Sequence, residues 1–174
     1  MGLGTRISVI GPSGSGKSWT SSRIAERLGL PRTELDAIRH GPNWTQTPDD
    51  EFRRIAKQIA AGDRWVIDGN YTSIVREVIW ERATDVVWMD LPRRTVMRQV
   101  IRRSFGRAAF QRELWNGNRE RFRNWVRSDH PIRWAWATVD PNRVRDEEWL
   151  SRYPALNVTR LYSPDEARRF VSGL

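Results

Sequence analysis

Apolar positions along this chain fall into two rhythms. Five short runs (6–10, 32–35, 65–67, 85–89 and 157–162), most of them rich in Val, Ile, Leu and Trp, read as buried strands. Between them the spacing becomes helical. A helix over 18–28 is closed by Gly29 and Pro31. A second opens at Thr47-Pro48-Asp49-Asp50, with Thr47 as its expected cap, Pro48 at its first position and acids in its first turn. Phe52, Ile55, Ala56 and Ile59 make its apolar stripe. Strands alternating with helices predict an α/β fold, a parallel sheet covered on both faces.

The stretch 92–154 breaks the alternation. It has no strand pattern and is expected to form helices and loops beyond the sheet. Within it Trp115, Phe122, Trp125 and Val126 recur at near-helical intervals and predict one buried face, with arginines on the opposite side. Most of the ten tryptophans lie in such core patterns.

The chain has 174 residues, 39% apolar and 29% charged, which suits one domain spanning 1–174. With no run of 18 apolar residues and no basic-then-apolar start, neither a membrane span nor a secretory signal is expected, and a cytoplasmic protein is the simplest expectation. The absence of cysteine excludes thiol catalysis, disulfides and thiolate zinc sites. His40 and His130 alone cannot build a multi-histidine metal centre.

Charge changes the picture more. Of 30 basic residues only Lys17 and Lys57 are lysines, and the net charge is +9. The segment 92–127 holds eleven arginines against two glutamates, so it carries the whole excess, and the remainder of the chain is neutral. A biased genome would spread arginine evenly. This concentration predicts contact with a polyanion, either a nucleotide or a nucleic acid.

The strongest motif is Gly11-Pro12-Ser13-Gly14-Ser15-Gly16-Lys17-Ser18, between a predicted strand and a predicted helix. Its glycines let backbone N–H groups turn inward around phosphate oxygens, and the helix N-terminus adds positive potential. Lys17 is expected on the β- and γ-phosphates of ATP, Ser18 on Mg²⁺, and Trp19 beside the nucleotide. Asp68 ends an apolar strand before Gly69 and Asn70, and is expected to hold Mg²⁺ opposite Ser18. Asp36 follows another strand and heads a polar and aromatic loop. It could accept the proton of an acceptor hydroxyl, with Arg39 as an anion contact and Trp44 as a ligand contact.

At these residues the chain resembles P-loop kinases of the adenylate-kinase-related group. Met89-Asp90-Leu91-Pro92, followed by Arg98 and Arg102-Arg103, is similar to their strand–Asp–x–Pro–helix stretch leading into the lid. The combination of Leu35-Asp36, Pro42-Asn43-Trp44, the run from Trp65 to Tyr71 and Val87-Trp88-Met89-Asp90 resembles a bacterial subgroup known as DNA topology modulation proteins or adenylate-kinase-related ATPases. The resemblance implies a three-layer fold with five parallel strands in the order 2-3-1-4-5 and a small Arg-rich helical lid at about 103–120. It implies that Arg98 and Arg102 clamp the nucleotide, with Arg119 or Arg123 returning from the lid. Adenylate kinases follow Asp-Gly with Phe-Pro-Arg, whereas Asn70-Tyr71-Thr72 stands here, so the arginine that grips AMP is missing locally. A hydroxyl acceptor at Asp36, Gly69 and Asn70 therefore fits better than AMP. The expected function is Mg-ATP-dependent phosphoryl transfer to a small molecule. The alternatives are an ATP-regulated nucleic-acid-binding protein and a nucleotide switch without kinase activity. The sequence sets neither the acceptor nor an oligomeric state.

Overall fold

All five expected strands form, each ending within a residue of its predicted limits, in the computed structural model, which describes residues 2–71, 74–109, 116 and 131–174. They are β1 (Arg6–Ile10), β2 (Arg32–Glu34), β3 (Trp65–Asp68), β4 (Asp85–Met89) and β5 (Asn157–Leu161). Every pairing is parallel, and the order is β2-β3-β1-β4-β5. Side chains alternate between two faces, as strand geometry requires. Ile7, Val9, Val66, Val87 and Met89 enter one core, while Ile10, Trp65, Ile67, Val86 and Trp88 enter the other. Because both faces are buried, β1, β3 and β4 read in sequence as nearly continuous apolar runs, while the edge strands β2 and β5 are only partly covered.

The helices are α1 (Lys17–Leu28), α2 (Leu35–Arg39), α3 (Asp49–Ala60), α4 (Arg76–Trp80), α5 (Arg93–Ala109), α6 (Pro131–Ser151) and α7 (Pro164–Ser172), with a 3-10 turn at Pro42–Trp44. The first core is covered by Ile24 of α1, Val96 and Val100 of α5, and Val171 of α7. The second is covered by Phe52 and Ala56 of α3 and by Ile79 and Trp80 of α4. α6 contributes to both: Ala135 and Val139 join the first core, Trp149 and Leu150 pack on the second. It thus crosses from one face of the sheet to the other. No described helix is long and apolar enough to cross a membrane.

Two expectations about helix ends had different outcomes. Gly29 closes α1 in a left-handed conformation, φ 61°, with its N–H bonded to the Ala25 carbonyl. At α3 the cap differs from expectation. Pro48 is itself the residue before the first turn, with extended backbone (ψ 146°), and no side chain caps the helix. Its extended ψ starts the helix one residue late, and the Thr47 hydroxyl instead donates to the Ile38 carbonyl at 2.6 Å. The acids Asp49, Asp50 and Glu51 still occupy the positive end of the helix.

The predicted aromatic face at Trp115, Phe122, Trp125 and Val126 lies outside the described residues. So does most of the expected lid, although its first part, from 103 to 109, continues α5 as helix.

Asp90, just past β4, is a junction of three elements. Arg143 of α6 donates to its Oδ1 at 2.5 Å and Arg160 of β5 to its Oδ2 at 2.8 Å. Charge-assisted bonds on both oxygens suit a carboxylate that is only 6% exposed.

Candidate active site

The loop between β1 and α1 is curled by three glycines with positive φ: Gly11 at 148°, Gly14 at 84° and Gly16 at 92°. Two are also held by close neighbours. A Cβ on Gly14 would stand 2.2 Å from Val100 Cγ2, and one on Gly11 would stand 2.8 Å from the Met89 carbonyl oxygen. Helix α5 and the end of β4 therefore press the loop into shape, and only glycine fits. The first turn of α1 carries no acid of its own, so its positive end keeps room for an anion. Lys17 is partly exposed and makes no ion pair with a described residue. The Ser15 hydroxyl is buried without a hydrogen-bond partner. Curled amides, an unopposed cation and an unsatisfied hydroxyl form a cradle suited to a phosphate chain.

Of the arginines expected over this loop, Arg98 and Arg102 are exposed on α5 and make no ion pair with a described residue. Arg119 and Arg123 lie outside the described residues, and Trp19 is 44% exposed on α1. The arginine that touches the loop is Arg103, which donates to Ser13 Oγ at 2.9 Å. Its sequence signal was the stripe Val96–Val100, both fully buried, which continues at the next turn to 103 and 104.

Two carboxylates stand behind the loop. Ser18 Oγ donates to Glu34 Oε1 at 3.1 Å. Asp68 is fully buried and engages a different serine: Ser21 donates to its Oδ2, and so does Arg32, at 2.6 Å. Its Oδ1 is buried with no partner. Arg32 also reaches Glu34 at 3.3 Å, so one guanidinium tethers both carboxylates. The spacing of Ser18 and Asp68 to strand ends did not separate these roles. Glu34, one residue inside a predicted strand, was missed.

At the same carboxyl edge of the sheet, past β2, Asp36 sits in the first turn of α2. Tyr71 donates its phenol to Asp36 Oδ1 at 2.6 Å, and His40 Nε2 lies 3.4 Å from the same phenol oxygen. Burial and the neighbouring Asp36 charge push the Tyr71 phenol well above its ordinary pKa, so it stays a donor. Burial, opposed by Asp36, lowers His40, which keeps the imidazole neutral at pH 7. Asp36 Oδ2 is left for another donor. Gly69, φ 147°, packs against Leu35, where a Cβ would come within 2.7 Å of the Leu35 Cβ, and this brings the β3 turn close to α2.

Arg39 does not join the Asp36–Tyr71 group. It holds its own loop through the Thr47 carbonyl at 2.6 Å and Asp49 at 2.7 Å, and lies over the Phe52 ring. Trp44 is 42% exposed, adopts φ 59° and meets His40 edge to face at 5.7 Å. Positive φ is uncommon for a bulky residue. The Asn116 amide donates to the Ala37 and His40 carbonyls at 3.2 and 2.5 Å and so tethers residue 116 to α2 and the residue after it.

A buried pair completes the wall. Arg76, at the start of α4, pairs with Asp146 of α6 at 2.6 Å, with side chains 3% and 1% exposed. Arg76 also donates to Asn70 Oδ1 and stacks over Trp80 at 4.7 Å. Burial pushes Asp146 up and Arg76 down, and each opposes the shift of the other. This contact, across 70 residues of sequence, gives α6 a place at the site that no local pattern announces.

No protein-family model and no curated protein matches the sequence. Solved structures match over nearly the whole chain. A shikimate kinase from Acinetobacter baumannii in complex with shikimate is 17% identical, with a TM-score of 0.57 over 98% of this chain and 90% of its own. A shikimate kinase from Bacteroides thetaiotaomicron is 14% identical, TM-score 0.57, covering 97% and 95%. An unliganded sugar kinase from Janibacter sp. HTCC2649 is 18% identical, TM-score 0.52, covering 97% and 93%. With the strand order and the loop after β1, these likenesses show that the chain has the P-loop kinase fold.

Proposed function

We propose that this protein transfers the γ-phosphoryl group of ATP to a hydroxyl of a small molecule. The observation that carries this reading is the placement of Asp36. One of its oxygens is fixed by Tyr71 and the other has no described partner, and it follows β2 at the same carboxyl edge of the parallel sheet at which the phosphate loop follows β1. A carboxylate so placed can take the proton of an alcohol as it attacks. The fold neighbours named as shikimate and sugar kinases support a hydroxyl acceptor.

In this reading the loop amides and Lys17 bind the β- and γ-phosphates. Arg103 orders the loop through Ser13, the exposed Arg98 and Arg102 close on the transferring group, and Arg119 or Arg123 is the further clamp that the resemblance implies. The oxygen donors Ser18 and Glu34 fit a magnesium ion. Mg²⁺ takes only one or two carboxylates and otherwise keeps water and phosphate oxygens, so no cage of three acids is needed. When bound, Mg²⁺ neutralises phosphate charge that would repel the attacking oxygen. Asp68 holds Arg32 and Ser21 from behind, and its bare Oδ1 points to a supporting role beside Ser18 and Glu34.

The division between the two carboxylates is testable. In a Mg²⁺ titration of ATP turnover, Glu34→Gln should raise the half-saturating concentration by about tenfold or more, and Asp68→Asn by less. A larger effect from Asp68 would return the direct ligand role to it.

For the nucleic-acid reading of the basic segment, two of the described arginines are already engaged, while Arg94, Arg98 and Arg102 are exposed and would serve either a nucleotide or a nucleic acid. Arg93 is occupied by Asp140 and the Trp136 ring, and Arg103 faces the phosphate loop.

A further inference from the structure

Beneath Tyr71 lies a narrow cavity of about 10 Å³ whose polar walls are Ser8, Tyr71, Arg76 and Trp80, the rest being mainly aliphatic. That volume holds one water-sized group and nothing larger. Three of its polar walls are already engaged. The Ser8 hydroxyl accepts from Trp80 Nε1 at 3.1 Å, and the Tyr71 phenol donates to Asp36. The fourth differs: Arg76 is 4% exposed, and its Nη1 is buried with no hydrogen-bond partner. An unmet guanidinium donor is costly in such surroundings and calls for an oxygen.

We propose that this cavity is a subsite for one uncharged hydroxyl of the acceptor, bound by Arg76 Nη1, and that it selects polyhydroxylated neutral compounds over anionic ones. The proposal rests on the kinase reading above and names the substrate class of that same site. Two observations exclude a carboxylate or phosphate from this position. A group of three or more heavy atoms exceeds the volume. The charge is also already balanced, because Asp146 from α6 lies 2.6 Å from Arg76. Asp36 adds a further negative charge nearby, on the other side of Tyr71. Arg145 also acts on the pair, from α6, and Trp80 and Trp149 cover the guanidinium with their rings. Another anion here would meet Asp146 and Asp36 in a poorly solvated space. A hydroxyl accepts the hydrogen bond without that repulsion.

The test is calorimetric binding in the presence of Mg²⁺ and a non-hydrolysable ATP analogue, with glucitol and myo-inositol as neutral probes and gluconate as the matched anion. A neutral probe should bind at least about tenfold more tightly than gluconate. Arg76→Lys keeps the charge but removes Nη1, and should weaken neutral binding by about tenfold. Asp146→Asn keeps an acceptor for Arg76 while removing the negative charge, and should narrow the gap between glucitol and gluconate. Circular dichroism and thermal unfolding identify any variant that fails to fold, and Asp146→Asn then stands as the second reading of the pair. Tighter binding of gluconate, no binding of either neutral probe, or wild-type binding by a folded Arg76→Lys would overturn the subsite. Neutral binding without phosphoryl transfer would leave the subsite standing and count against the kinase reading. Transfer to gluconate in preference to glucitol would do the reverse.

Discussion

Lys17→Ala should lower acceptor-dependent turnover by roughly a hundredfold to a thousandfold, the range for removing one positioned charge from a phosphoryl-transfer site. The loss should appear in kcat as well as in ATP affinity, because the ammonium meets charge that grows toward the transition state. Stability should barely change. Lys17 is partly exposed and has no ionic partner among the described residues, so its removal should shift the thermal midpoint by no more than about 2 °C. A folded Lys17→Ala protein with wild-type turnover would remove the phosphate loop from the mechanism.

Asp36→Asn is the second substitution with a large expected effect. The amide keeps an oxygen for the Tyr71 phenol, so the local geometry is retained. What disappears is the open carboxylate oxygen that would take the acceptor's proton. We expect kcat to fall by about a hundredfold or more, with the KM for ATP little altered. If the substitution instead raised only the acceptor KM and left kcat intact, Asp36 would be a binding group and not the base.

Sequence and structure agree where the chemistry is local. The central strands β1, β3 and β4 were legible because each is a short apolar run, and burial on both faces leaves few polar interruptions, whereas the edge strands β2 and β5 are more polar and more exposed. The phosphate loop was legible because its glycines, lysine and serine must be adjacent in sequence. The end of α1 was legible because Gly29 takes a backbone conformation that favours glycine.

What escaped notice depended on contacts between distant segments. Nothing near Asp68 reveals that Arg32, on the neighbouring strand, and Ser21, on the first helix, would surround it and leave Ser18 to Glu34. Arg39 looked like a ligand contact from its loop. It is held by Thr47 and Asp49, which approach only when the chain folds back between α2 and α3. The Arg76–Asp146 pair joins the start of a five-residue helix to the far half of α6, and periodicity carries no sign of it. Arg103 was nearer to recognition, since the buried stripe of α5 leads to it. The resemblance ran through Arg102-Arg103 but gave the clamp to Arg98 and Arg102, with no role for Arg103.

The most direct test of hydroxyl phosphorylation is ADP release from Mg-ATP with a panel of polyols, sugars, nucleosides and nucleotides, read together with the phosphorus NMR spectrum of the products. The structure predicts that a hydroxyl compound accelerates ADP release, that the new signal is a phosphate monoester, and that Asp36→Asn abolishes both. ATP hydrolysed to ADP and inorganic phosphate at one rate whatever is added, or AMP converted to ADP in preference to any alcohol, would contradict it.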